Sequence, residues 1–69
     1  MKQELESLVS QMVDRGILFV EARREFEKRF IARVLGQCDG SLTKTADALG
    51  IHRNTLTRKI VEHKIKRRG

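Results

Sequence analysis

Gly40-Ser41-Leu42-Thr43-Lys44-Thr45-Ala46-Asp47-Ala48-Leu49-Gly50-Ile51-His52-Arg53-Asn54-Thr55-Leu56-Thr57-Arg58-Lys59-Ile60 is the stretch whose pattern decides the fold of this chain. Ser41 can offer a side-chain oxygen to the open amides of a helix over about 42–49, and Gly50 can end that helix in a left-handed conformation. After Ile51 and His52 a further helix is predicted from near Arg53 to about His63. Two helices joined by a short, glycine-containing connection are a helix-turn-helix. Ala46 is small where the two helices cross, and Leu49, Ile51, Leu56 and Ile60 supply the apolar contacts that pin them together.

Asp39 and Gly40 break the helix that precedes this unit. Upstream of the break, Phe19, Ala22, Phe26, Phe30, Val34 and Cys38 form an apolar stripe, widened by Ile31 and Leu35, that predicts an amphipathic helix over about 19–37. Its charged face carries helically spaced pairs such as Glu25 with Arg29. Leu5, Leu8, Val9, Met12 and Val13 form a second stripe and predict a helix over roughly 2–14, with Gly16 to Leu18 as the connection. With no proline, the sequence predicts an all-α fold of four helices, two N-terminal helices (1–38) followed by the helix-turn-helix unit (39–69) in a single domain.

A chain of 69 residues buries too little apolar surface to be comfortably stable alone. Its one cysteine, Cys38, cannot form an intramolecular bridge, which leaves oligomerisation as the expected supplement. Leu5, Leu8, Val9, Met12, Phe19, Phe26, Phe30 and Val34 are the expected dimer interface; the alternative is that Phe26 and Phe30 fill the core of a monomer. No segment approaches the roughly 20 apolar residues of a membrane span, and no basic start and apolar run marks a signal peptide, so a cytoplasmic protein is expected.

The net charge of +6 is unevenly placed. Residues 1–40 are balanced, whereas Lys44, Arg53, Arg58, Lys59, Lys64, Lys66, Arg67 and Arg68 face only Asp47 and Glu62 in the remainder. A one-sided basic excess is the footprint of a polyanion binder, although a merely solvated basic surface has the same composition. On the last helix, Arg53, Asn54, Thr57, Arg58 and Val61 lie away from Leu56 and Ile60, leaving that flank free to enter the major groove of duplex DNA. Arg53 and Arg58 are the candidate base readers because the guanidinium fork can contact guanine bidentately. Ser41, Thr43, Lys44, His52, Asn54, Thr55, Thr57, Lys59 and Lys64 are candidates for phosphate or helix-start contacts.

Other functions find less support. There is no nucleophile-base-acid set, no glycine-rich phosphate loop and too little chain to enclose a small-molecule site, so neither an enzyme nor a cofactor is expected. His52, His63 and Cys38 lack zinc-ligand spacing, so no metal is expected either. Tyrosine and tryptophan are absent and the phenylalanines lie on the core stripe, which removes the stacking platforms of single-strand recognition. A helical protein-interaction module remains the rival from a different class.

The run from Gly40 to Ile60 closely resembles the helix-turn-helix of the Fis family, bacterial nucleoid proteins, and the related C-terminal domains of NtrC-type activators. The resemblance spans about residues 37–65 and is most specific from Ala46 to Lys59; an excised activator domain is therefore an alternative to a free-standing protein. It implies a homodimer whose first two helices interlock with those of a second subunit, placing a helix-turn-helix at each end. It also implies a symmetric, degenerate DNA site that must bend, because the family's recognition helices sit closer together than one turn of B-DNA. Arg53, Thr55, Arg58 and Lys59 match the family's DNA-contacting positions. His52, Asn54 and Thr57 depart from the founding member's asparagine, glycine and basic residue, which implies a different affinity and preferred sequence. The first predicted helix begins almost at Met1, without the founding member's recombinase-contacting arm, so recombination stimulation is not carried over.

Overall fold

The computed structural model describes residues 1–66 and consists of four helices: α1 (Lys2–Asp14), α2 (Phe19–Gln37), α3 (Leu42–Leu49) and α4 (Arg53–Glu62). No strand occurs among the described residues, and the all-α expectation holds. Arg67 and Arg68, counted above in the basic excess, lie outside the described residues. Among the described residues, no helix is long and apolar enough to cross a membrane.

Local chemistry explains the helix limits. Helix α2 starts at Phe19 because the Glu21 carboxylate reaches back to accept the Leu18 N–H at 3.0 Å, satisfying an amide that has no partner within the helix. Helix α3 starts where Ser41 Oγ accepts the Lys44 N–H at 3.3 Å, as the sequence predicts. It stops where Gly50 takes φ 72°, allowing the Gly50 N–H to reach Asp47 O at 3.2 Å and the Ile51 N–H to reach Ala46 O at 3.1 Å. The same paired closure ends α4 at Lys64, whose φ of 53° lies in the left-handed region that a lysine adopts only at a cost.

The core lies at one end of the molecule. Ile31, Ala46 and Leu56 are buried at its centre, with Leu42, Leu49, Ile51, Ile60 and Ile65 packed around them. Leu35 is also buried. Ile31 and Leu35, the residues expected to widen the α2 stripe, are thus both buried, and Ile31 joins α2 to the helix-turn-helix cluster. The phenylalanine line beside them is not core: Phe26 is 56% and Phe30 50% exposed. Their rings touch only in a tilted pair, with centroids 5.4 Å apart. The monomer-core alternative for these residues therefore fails. Helix α1 buries no residue at all, and Leu5, Leu8, Val9 and Val13 are exposed along it.

Two global quantities express the same imbalance. A folded monomer of 8.0 kDa is expected to expose about 4,450 Å², whereas this chain exposes 5856 Å². Its radius of gyration is 13.5 Å, against about 11 Å for a compact chain of this length. Among the described residues, all the exposed large hydrophobic side chains except Val61 lie at or before Phe30, along α1, the connection and α2.

Candidate nucleic-acid interface

Helix α4 is held in place from its inner side. Leu56 is fully buried, and Ile60 packs on the same cluster. At 3.6 residues per turn, seating Leu56 inward turns Asn54, Thr57, Arg58 and Val61 outward. The structure agrees: Arg53, Asn54, Thr57, Arg58 and Val61 are all exposed, and Val61 is 73% exposed. Thr55 is half-buried at the margin of this surface. The Thr57 hydroxyl donates to Arg53 O at 3.0 Å, so what it offers outward is an oxygen acceptor and a methyl group.

The start of α4 is fixed by an unusual cap. His52 takes an extended conformation and its Nδ1 accepts the Asn54 N–H at 3.0 Å. An accepting Nδ1 puts the proton of the neutral ring on Nε2, which makes His52 a donor beside the positive end of the helix, where anions are favoured. Other predicted residues lie elsewhere on the helix-turn-helix unit. Thr43 and Lys44 are exposed on the first turn of α3, and Ser41 is half-buried with its hydroxyl oxygen engaged in capping. Lys64 is exposed just beyond α4.

Lys59 differs from the other basic candidates. Its ammonium closes onto Glu27 of α2 at 2.7 Å, and its side chain is only 28% exposed. The same Glu27 oxygen also lies 2.9 Å from Nε2 of His63, whose side chain is 3% exposed. The two contacts hold the Glu27 carboxyl down at about 2, first through the hydrogen bond from His63 and then through that from Lys59. As a sequence-level phosphate candidate, Lys59 is thus occupied within the chain. Glu27 and His63 were missed from the sequence, where 32 and 36 residues separate Glu27 from its two partners.

Glu27, Glu62 and His63 each bring one ligand atom within 4.8 Å of the others. The cation already at that carboxylate is the Lys59 ammonium. A shallow apolar groove of about 200 Å³ adjoins this pair, lined by Phe26, Phe30, Ile31, Leu49 and Ile51. The outward side of α4 therefore combines polar and basic groups with helix-start donors. Chemically, it can grip an anionic, edge-patterned surface.

Comparison with known proteins agrees with this arrangement. The profile of a family described as bacterial regulatory proteins of the Fis family matches residues 22–63. A protein of Xylella fastidiosa, named as a Fis-like DNA-binding protein, is 38% identical over 50 residues, covering 72% of this chain and 56% of its own length. A protein of Neisseria meningitidis serogroup A with the same name is 38% identical over 39 residues, covering 56% of this chain and 49% of its own. The chain thus spans about half the length of the curated relatives it matches. No solved structure matches it significantly.

Proposed function

This chain belongs to the Fis family of bacterial regulatory proteins, and from that premise we propose that it is a homodimeric, sequence-degenerate binder of duplex DNA, acting in the bacterial cytoplasm as a transcription regulator or nucleoid-associated DNA-bending protein. The observation that carries this reading is the outward flank of α4. Arg53, Asn54, Thr57 and Arg58 stand exposed on the second helix of a helix-turn-helix whose inner residue, Leu56, is fully buried. Such a helix fits the major groove, where Arg53 and Arg58 read base edges. Thr43, Lys44, His52 and Lys64 meet phosphates around it, with Asn54, Thr55 and Thr57 at the groove margin and Ser41 holding the start of α3. Residues 39–69 form the DNA-binding unit, and residues 1–38 the dimerisation arm.

The dimer rests on surface area. The chain exposes 5856 Å², about 1,400 Å² more than a monomer of its mass should. Covering that excess on two chains would bury about 2,800 Å², within the range of obligate homodimers. Leu5, Leu8, Val9, Phe19, Phe26 and Phe30 supply the exposed apolar side, with Met12 and Val34 half-buried among them.

The testing experiment is a fluorescence-anisotropy titration of duplex DNA at several salt concentrations with wild type, Arg53→Ala and Arg58→Ala. A steep salt slope, with a loss of about 1–3 kcal/mol of site discrimination in each variant, is expected. Failure to bind duplex at low salt, or variants that bind as well as wild type, would leave the helical interaction module in its place.

A further inference from the structure

The contact between α2 and α4 is narrow. Its apolar part is the buried cluster that Ile31 of α2 and Leu56 of α4 share with Ala46, and its polar part is one carboxylate oxygen. Glu27 lies one turn before Ile31 on α2, and its Oε1 takes Lys59 Nζ at 2.7 Å and His63 Nε2 at 2.9 Å. Lys59 and His63 are four residues apart and therefore stack on one side of α4. Two donors a turn apart, converging on one fixed acceptor, constrain a helix differently from a single hydrophobic contact. Leu56 at the axis fixes how close α4 lies to α2, but it leaves the helix free to roll about that point. A second polar attachment displaced along the axis removes the roll.

We infer that Glu27 is a positioning residue for DNA recognition: by gripping Lys59 and His63 together, it fixes the roll of α4 on α2 and so sets the direction in which Arg53 and Arg58 point. This inference rests on the DNA-binding reading above. The consequence follows from helix geometry. A roll of one residue step, about 100°, would carry Leu56 out of the core and a neighbouring side chain into its place, and a much smaller roll suffices to take a guanidinium fork out of bidentate register with a base edge. Phosphate contacts made by long, flexible lysines tolerate the same roll, because they carry no sequence information.

The network also explains its own burial. His63 is nearly enclosed and Lys59 mostly so, and a buried donor without a partner is costly. No buried side-chain polar atom among the described residues lacks a partner. Glu27 is the group that satisfies both donors, and the shared oxygen makes the two contacts depend on each other. Glu62 lies farther from His63, at 3.7 Å, and its side chain is 52% exposed, so it does not substitute for this grip.

The test compares wild type with Glu27→Ala and Glu27→Gln on two probes: a duplex enriched from a randomised pool by the wild-type chain, and a random-sequence duplex. Measurements are made at a temperature where circular dichroism shows all three proteins folded. Glu27→Ala should lose at least about tenfold in affinity for the enriched duplex while keeping its affinity for the random one, so that discrimination falls. Glu27→Gln, which retains an oxygen acceptor at the same place, should stay within about threefold of wild type on both. An equal change on both duplexes in Glu27→Ala, or a Glu27→Gln that falls as far as Glu27→Ala, would overturn the positioning role while leaving DNA binding intact. A wild type that binds neither duplex would overturn the DNA-binding reading and this role with it.

Discussion

Phe30→Ala should break the proposed dimer. Phe30 is 50% exposed and outside the buried cluster of Ile31, Ala46 and Leu56, so truncating it removes little from the fold of one chain. A phenylalanine presents roughly 200 Å², of which about half remains free here, or about 100 Å² per subunit. At about 25 cal/mol/Å² its burial against a second chain is worth about 2.5 kcal/mol, and about 2 kcal/mol after allowing for the Cβ that alanine keeps. A two-fold dimer suffers the change twice. The total of about 4 kcal/mol corresponds to about a thousandfold rise in the dimer dissociation constant. Sedimentation equilibrium reads this directly, with wild type at twice the 8.0 kDa chain mass and the variant shifting toward monomer at micromolar concentration. Val61→Ala is the matched control: Val61 is 73% exposed on the outward side of α4, and its loss should leave the mass unchanged. A monomeric wild type at high micromolar concentration, or a Phe30→Ala dimer as tight as wild type, would refute the reasoning from exposed apolar area.

Gly50→Ala should destabilise the fold by about 1 kcal/mol, because φ 72° is unfavourable for any residue with a Cβ, while nothing within 4 Å would clash with it. Thermal unfolding should show a drop of several degrees, and an unchanged midpoint would mean that the turn rearranges freely. Acid should weaken the protein through Glu27. Its carboxyl is held at about 2, below the ordinary 4.5, so the stabilisation is fully present above the unfolded value and is lost as pH falls from about 4.5 toward 2. Because part of the side chain remains in water, about 1–2 kcal/mol is expected rather than the full shift. Denaturant midpoints across that pH range should fall more steeply in wild type than in Glu27→Gln; parallel curves would show that the network stores no proton-linked stability.

Most of the fold was legible because it is local. Caps and stops act within a few residues: Ser41 on Lys44, Gly50 on Asp47 and Ile51 on Ala46. A helix limit is therefore written in the residues that form it. The division of α2 was harder, since Phe26, Phe30, Ile31 and Leu35 all lie on one broad apolar stripe. Periodicity says that such a stripe is covered, but not whether by the same chain or by another. The structure separates the two: Ile31 and Leu35 are buried, Ile31 in the helix-turn-helix cluster, and the phenylalanines are left exposed.

Lys59 shows where a charge-based reading and a geometric one part company. Grouped by charge, it belongs with Lys44 and Lys64 as a phosphate contact. Measured as an angle from Leu56, it lies about 60° round the axis, on the opposite side of Leu56 from Ile60 at about 40°, whereas Arg58 lies about 160° away. That angle was available in the sequence and puts Lys59 at one margin of the inward side, as it puts Arg53 at the other, where the first turn of α4 leaves the side chain exposed. His63, seven positions after Leu56, falls within about 20° of it on the same count, and it is indeed buried. What no local pattern supplies is the acceptor. Two cationic or donor side chains turned toward a core require an acidic partner there, and the candidate must come from whichever helix packs opposite. Of the acidic residues on α2, Glu27 is the one a single turn before the buried Ile31, so the need for a partner, joined to the packing of α2 on α4, singles it out.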